Sequence, residues 1–293
     1  MKLNFPFSLL FGAAAMEVAS SAHALAITAT NDADTLLAAL LGANSGINVV
    51  PGSVQFVGGP NQSGTYTGLN LTSSTGGASI ANPDGILLTT GSANLPLSNT
   101  SSNYGTSSNT GSNALLTSLS GKPTSDQNYL SFSFTVDPGL TAISTSFVFG
   151  SDEYPEYAAS SYTDIFGFFV DGKNYALFGD GSLVAVNTIP NFLDNQGNAY
   201  GIEYDGLTTS LSLVGLLDPN SSTHTLTIAI ADTGDSAYDS GVFIGAFSAG
   251  AAPPGGCSGV GCTLPGGVPE PPLLALLGLG LVGLSVVRRY RRH

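Results

Sequence analysis

Two acidic stretches carry the side chains best suited to chemistry. Residues 147–172, FVFGSDEYPEYAASSYTDIFGFFVDG, hold Asp152, Glu153, Glu156 and Asp164 among Tyr154, Tyr157 and Tyr162. Residues 232–239 add Asp232, Asp235 and Asp239 with Tyr238. Carboxylates this dense, with no Lys or Arg among them, repel one another unless a cation neutralises them. Calcium takes roughly six to eight oxygen ligands from carboxylates and backbone carbonyls, and Gly-containing Asp loops such as Asp232-Thr233-Gly234-Asp235 supply both. Asp152, Glu153, Asp164, Asp232, Asp235 and Asp239 are therefore the candidate metal ligands, and Ca²⁺ the candidate cofactor. The competing reading is a solvated acidic rim. EF-hand spacing is absent.

Other chemistries find less support. Glycoside hydrolysis needs two facing carboxylates, and Glu153 or Glu156 with Asp239 qualifies on residue type alone, as many acidic loops would. Once a leader and a terminal tail are set aside, His224 is the one histidine left, so a His/Cys zinc site or a Ser-His-Asp triad lacks its parts. His224 reads as a turn residue before a strand. Gly278, Gly280 and Gly283 fit G-x-G-x-x-G, but they lie inside an apolar helix with no preceding strand, which excludes a dinucleotide site. The sequence thus points to no enzyme and no catalytic residues, with a carbohydrate-active hydrolase the weakest alternative. Tyrosine pairs a flat apolar face with a hydroxyl, so Tyr154, Tyr157 and Tyr204 are candidates for surface recognition of sugar rings.

The elements that must position these residues are mostly strands. Charged residues make up 9% of the chain against ~25% in ordinary soluble domains. Gly, Ser, Thr and Asn fill the difference and favour strands and turns over helices. Leu130–Val136 and Ile143–Phe149 both alternate, and Pro138-Gly139 between them predicts a hairpin. Further strands are predicted over 54–57, 85–90, 165–170, 175–178, 183–186, 211–216, 225–231 and 242–247. Asn31–Leu41 reads as an amphipathic helix capped by Asn31 or Asp32 and ended by Gly42. Ala114–Leu119 reads as a second short helix, and Asn94–Asn113 as a mobile Ser/Asn/Thr-rich loop. The fold class is all-β, a sandwich or jelly-roll-like domain with one or two short helices.

Export and anchoring signals bracket this body. Residues 1–24 read as a signal peptide: Lys2, an apolar stretch from Phe5 to Met16, and Ala22-His23-Ala24 as a cleavage site. Residues 25–250 form the β domain, 251–267 a flexible Pro/Gly/Cys linker, and 268–293 a terminal signal. Within 25–267 two lysines face 15 Asp and 3 Glu, a net charge of −16. That field repels nucleic acid and anionic membranes and suits cations or neutral glycans. Cys257 and Cys262 could close a small disulfide loop in an oxidising compartment, or stay free. The apolar run Leu273–Val287 covers ~22 Å as a helix, short of a ~30 Å hydrocarbon core, but its flanks extend it and the following arginines can snorkel. Those arginines hold the C-terminus in the cytoplasm.

Val268, Pro269, Glu270 and Pro271, the apolar helix and the closing RRYRRH together resemble the PEP-CTERM sorting signal of Gram-negative bacteria. The resemblance implies an exosortase as processing partner. It also implies export through the inner membrane, a transient single-pass anchor, and release to the surface or an exopolysaccharide-rich matrix. The body resembles the choice-of-anchor L domain of bacterial surface proteins. The residues that carry this are GILLTTG at 85–91, FVFGSDEYPEY at 147–157, DIFGFFVDG at 164–172, YDGLT at 204–208 and IAIADTGDSAYDSGVFI at 228–244. Family members usually read SEEY where this chain has Ser151-Asp152-Glu153-Tyr154. The resemblance implies location and architecture and names no reaction. The expectation is an exported structural or adhesive surface protein, with a Ca²⁺-dependent glycan-binding module as the alternative.

Overall fold

The structure, a computed structural model, describes residues 24–158, 160–186 and 191–265. The expected leader (1–24) and the terminal apolar helix lie almost wholly outside them. Among the described residues no helix is long and apolar enough to cross a membrane.

In chain order the main elements are β1 (Ala26–Ala29), α1 (Ala33–Leu41), β2 (Ile47–Val49), β3 (Gln55–Val57), β4 (Ser63–Thr67), β5 (Asn70–Leu71), β6 (Ile80–Ala81) and β7 (Asp84–Thr89). Then come α2 (Ala114–Ser120), β8 (Thr124–Val136), β9 (Ala142–Ser151), β10 (Ile165–Val170), β11 (Lys173–Asn174), β12 (Val184–Ala185), β13 (Leu193–Asp194) and β14 (Gly206–Leu207). Last are β15 (Leu211–Leu216), β16 (His224–Thr233), β17 (Ser240–Ile244), β18 (Ser248–Gly250) and β19 (Gly259–Val260). Two antiparallel sheets dominate. One runs β1-β4-β7-β17-β9-β14-β13, with β15, β18 and β19 joined on; the other runs β11-β10-β16-β8-β2, with β3 and β12 attached.

Alternation along each strand builds the sandwich. Phe132 and Phe134, Phe166 and Phe168, and Ile228 and Ile230 face inward from the smaller sheet. Ile86 and Leu88, Phe147 and Phe149, and Val242 and Ile244 meet them from the larger. Phe147 and Phe166 touch across the gap with ring centroids 5.1 Å apart. Both outer faces are covered as well. Leu116 of α2 packs on Ile165, Phe169, Ala229 and Ala231. Tyr66, Val148, Leu207 and Phe243 pack beneath Ile80 of β6 and irregular segments carrying Leu69, Leu95 and Ile202. Strands buried on both faces read as continuous apolar runs, as FVFG and IFGFFV do.

Both helices form where expected. Asp32 caps α1, accepting from Thr35 N–H at 2.7 Å, and Leu36 and Leu40 are buried. Asn113 caps α2 through Leu116 N–H at 3.1 Å. The predicted hairpin does not form. β8 pairs with β16, β2 and β3, whereas β9 pairs with β17, β14, β15 and β18. The turn at Asp137–Leu140 thus crosses from one sheet to the other. Alternation reports which face is buried, not which strand lies alongside. The 175–178 stretch is not a ladder strand; among these residues Leu177 makes an isolated bridge to Leu183.

The linker is seated on the fold. Cys257 and Cys262 are disulfide-bonded. β19, between them, pairs with β15 at Leu213↔Val260 and Val214↔Gly259. Cys262 is buried with Ala142 and Val214, and Leu264 packs against them. Residues 259–264 therefore belong to the sheet edge, not to a free tether.

Candidate functional site

At one end of the sandwich, where β9 and β16 finish and β10 and β17 begin, carboxylates gather in and around the space between the sheets. Each strand arrives there by its own alternation. Phe166 and Phe168 point inward, so Asp164, two residues before Phe166, continues that face. Ile228 and Ile230 do the same for Asp232. β10 and β16 end their pairing at Ile165↔Ala231, and the next residues, Asp164 and Asp232, lie near enough for the Asp232 charge to act on Asp164. Glu153 comes from the loop leaving β9 and accepts the Asp164 N–H at 2.7 Å through Oε2. Ser151 and Ser240 face each other where β9 and β17 pair, joined hydroxyl to hydroxyl at 2.8 Å. Asp239, at the head of β17, accepts Thr106 N–H at 2.9 Å. It rests against Gly91, where a Cβ would stand 1.7 Å from Oδ2.

These groups are buried with few partners. Asp164 is 0% exposed, Glu153 1%, Asp232 2% and Asp239 3%. Both carboxyl oxygens of Asp164, Oδ1 of Asp232 and Oδ2 of Asp239 have no hydrogen-bond donor. The Ser240 hydroxyl lies beside Asp164 but is directed to Ser151. Among the described residues the one ion pair is His224 Nδ1 to Asp171 Oδ2 at 2.7 Å, away from this cluster. Burial, reinforced by the neighbouring carboxylates, pushes Glu153 up to about 8 and Asp232 to about 9. Burial raises Asp239 to about 7, with Asp126 adding to it, and Asp164 stands well above the usual carboxylate range.

A second layer lies outside the larger sheet. Asp152 is buried and accepts Tyr104 N–H at 2.6 Å and Asp205 N–H at 3.2 Å; burial still raises it to about 8. Tyr204 is fully buried against Gly150 and Gly241, where a Cβ would approach its ring or hydroxyl within 2.5 and 2.1 Å. The segment Asn99–Asn109, with no regular structure, ties this layer down. Thr100 and Ser101 N–H reach Glu203, Tyr104 reaches Asp152, Thr106 reaches Asp239 and Asn109 reaches Asp126. Asn99 Nδ2 adds bonds to Asn195 O at 2.9 Å and Asp205 Oδ1 at 2.6 Å. One neutral strap thus gives successive backbone amides to four different carboxylates.

Residues 26–250 match the Choice-of-anchor L domain. The chain belongs to the Choice-of-anchor L domain family. Residues 267–292 match the PEP-CTERM protein-sorting motif. That motif implies an exosortase-sorted extracellular protein: export, a transient C-terminal membrane anchor, then a surface location. The motif residues Val268, Pro269, Glu270 and Pro271 lie outside the described residues. Comparison with curated proteins and with solved structures returns no match.

Within the choice-of-anchor L body the six candidate ligands divide. Glu153, Asp164, Asp232 and Asp239 are brought together. Asp152 is spent on backbone amides of the outer layer. Asp235 is half-buried, with Oδ1 facing Ala237 N–H and its carbonyl accepting from Ser125. Among the described residues no three His, Cys, Asp or Glu side chains are drawn together as a finished metal cage. Glu156 is exposed and bonded to Gln196 at 2.9 Å, apart from buried Asp239, so these two do not flank a common cleft. The tyrosines also divide. Tyr204 has no exposed surface, and Tyr154 is 7% exposed and stacked on Phe192 at 5.6 Å, so neither offers a face to a sugar. Tyr157 remains partly exposed, packed against Tyr238 and Tyr162. Sequence reasoning missed Glu203, Asp205, Asp126 and the strap. The YDGLT motif marks Asp205, but no local pattern joins it to Asn99.

Proposed function

We propose that this chain is an exosortase-processed structural or adhesive protein of the cell surface or extracellular matrix of a Gram-negative bacterium, associated with exopolysaccharide. One observation carries the reading: a choice-of-anchor L body followed directly, on the same chain, by a PEP-CTERM motif. The body suits that role without a reaction. Its central carboxylates, Glu153, Asp164, Asp232 and Asp239, are buried instead of exposed to a substrate. Its net negative charge and neutral polar surface favour cations and uncharged glycans over nucleic acid or anionic lipid. Deleting Val268–His293 should leave the body mis-sorted, read by fractionation and surface labelling of whole cells. Unchanged surface display of the truncated chain would sink the proposal.

A further inference from the structure

Asp164 and Asp232 pose a physical problem that the sorting route does not touch. They follow the last β10–β16 pair, Ile165↔Ala231, near one another on the inner side of one sheet, with Glu153 against Asp164, and three of the four Asp164 and Asp232 oxygens lack any donor. A buried polar atom left unpaired costs about 1–3 kcal/mol, and more when charged. Lys122 is the nearest base, and its ammonium is directed to the carbonyls of Ser160 and Ser161 at 3.5 and 3.3 Å. Hydrogen bonds elsewhere show what satisfaction looks like in this fold. Asp152 and Asp126 each receive donors on both oxygens. The strap serves Asp152, Asp126, Glu203 and one oxygen of Asp239 and gives no amide to Asp164, Asp232 or Glu153.

We propose that Asp164 and Asp232, with Glu153, bind one Ca²⁺ ion at the end of the intersheet space. The donors are all oxygens, which selects a hard cation over zinc or copper. The Ser151 and Ser240 hydroxyls add neutral oxygens beside them. Ca²⁺ accepts irregular geometry and full dehydration where Mg²⁺ keeps its waters, so a buried site suits the larger ion. Closing on the ion draws Asp164, Asp232 and Glu153 together, since among the described residues no three such side chains already converge on a metal-sized space. An open pocket of about 480 Å³ is lined by Asp126, Thr124, Ser107 and Asp235, and its two carboxylates add to the negative field on Asp232 and Glu153. Asp239 flanks the site on the larger sheet and adds to its negative field.

The test uses the full chain in mild detergent, stripped with EDTA and returned to pH 7.5. Titration with CaCl₂ should show one ion bound per chain and raise Tm by roughly 5–10 °C at a hundredfold excess over Kd. MgCl₂ should do far less. Asp164→Asn and Asp232→Asn should abolish the rise while leaving the metal-free Tm equal or higher, because a neutral amide ends the opposition of two carboxylates. That pattern separates lost binding from lost folding, and exposed Asp180→Asn should keep the full response. Terbium luminescence excited through tyrosine and displaced by Ca²⁺ reads the same site without a variant. A wild-type chain with no heat of binding and no change in Tm would overturn the proposal. So would a full Ca²⁺ response retained by both Asn variants.

Discussion

Asp164 shows how a single side chain is set by its surroundings. Its oxygens face Glu153, Asp232 and Asp239 in the space between the sheets, with Asp126 beyond Asp232, Asp235 and Lys122 near Glu153, and Asp152, Glu203, Asp205, Tyr104 and Tyr204 in the layer outside. A carboxyl whose folded pKa is raised binds protons that its unfolded form has already lost. Stability then falls as pH rises from the unfolded value toward the folded one. With Glu153 and Asp152 at about 8, Asp232 at about 9 and Asp239 at about 7, the window runs from about pH 4 to about pH 9. In EDTA the chain should melt several degrees higher at pH 5 than at pH 8, checked by scanning calorimetry; a flat profile would contradict the burial described above. The cluster itself was legible from the sequence, since SDEY and ADTGD place acids at strand ends. Which acids the strap reaches was not, because Asp152 and Glu153 are neighbours in sequence and only Asp152 meets Tyr104 N–H.

At the scale of elements, the strap is where local reading runs out. Residues 99–109 look mobile by composition, yet their amides are spent on Glu203, Asp152, Asp239 and Asp126. No periodicity marks such a segment, because its order comes from partners 17 to 133 residues away. Thr106→Pro removes the amide that serves Asp239 and should cost about 2–3 kcal/mol, as expected for a charge-assisted bond whose acceptor stays buried. Urea unfolding measures this directly, and Thr106→Ala, which keeps the amide, should cost far less. The helices and central strands were readable because their signals are local: Asp32 caps α1, Gly42 stops it, and apolar runs mark two-sided burial. The β8–β9 arch was misread because Pro138-Gly139 makes a tight turn whether the chain returns along the same sheet or crosses to the other.

For the molecule as a whole, the disulfide between Cys257 and Cys262 matters by location more than by strength. A loop this short contributes about 2 kcal/mol in the chain-entropy picture. Its ladder with β15 also includes Gly261 N–H to Ser212 O at 2.7 Å. Cys257→Ser with Cys262→Ser should speed amide exchange at Val260 and Gly261 while leaving β8 and β16 protected, a contrast that exchange mass spectrometry resolves. β15 and the linker dock beside Ala142 and Ser144, at the start of β9, whereas the carboxylates gather at its other end beside Ser151. Nine residues of strand separate the two, about 30 Å. The sorting motif begins at residue 267, three residues past Leu264. The chain therefore leaves the fold toward the sorting motif near the end of β9 that is remote from the carboxylates. Cutting the chain within that motif would thus fall at the far end of the sandwich from Asp164 and Asp232 and leave their surroundings as they are.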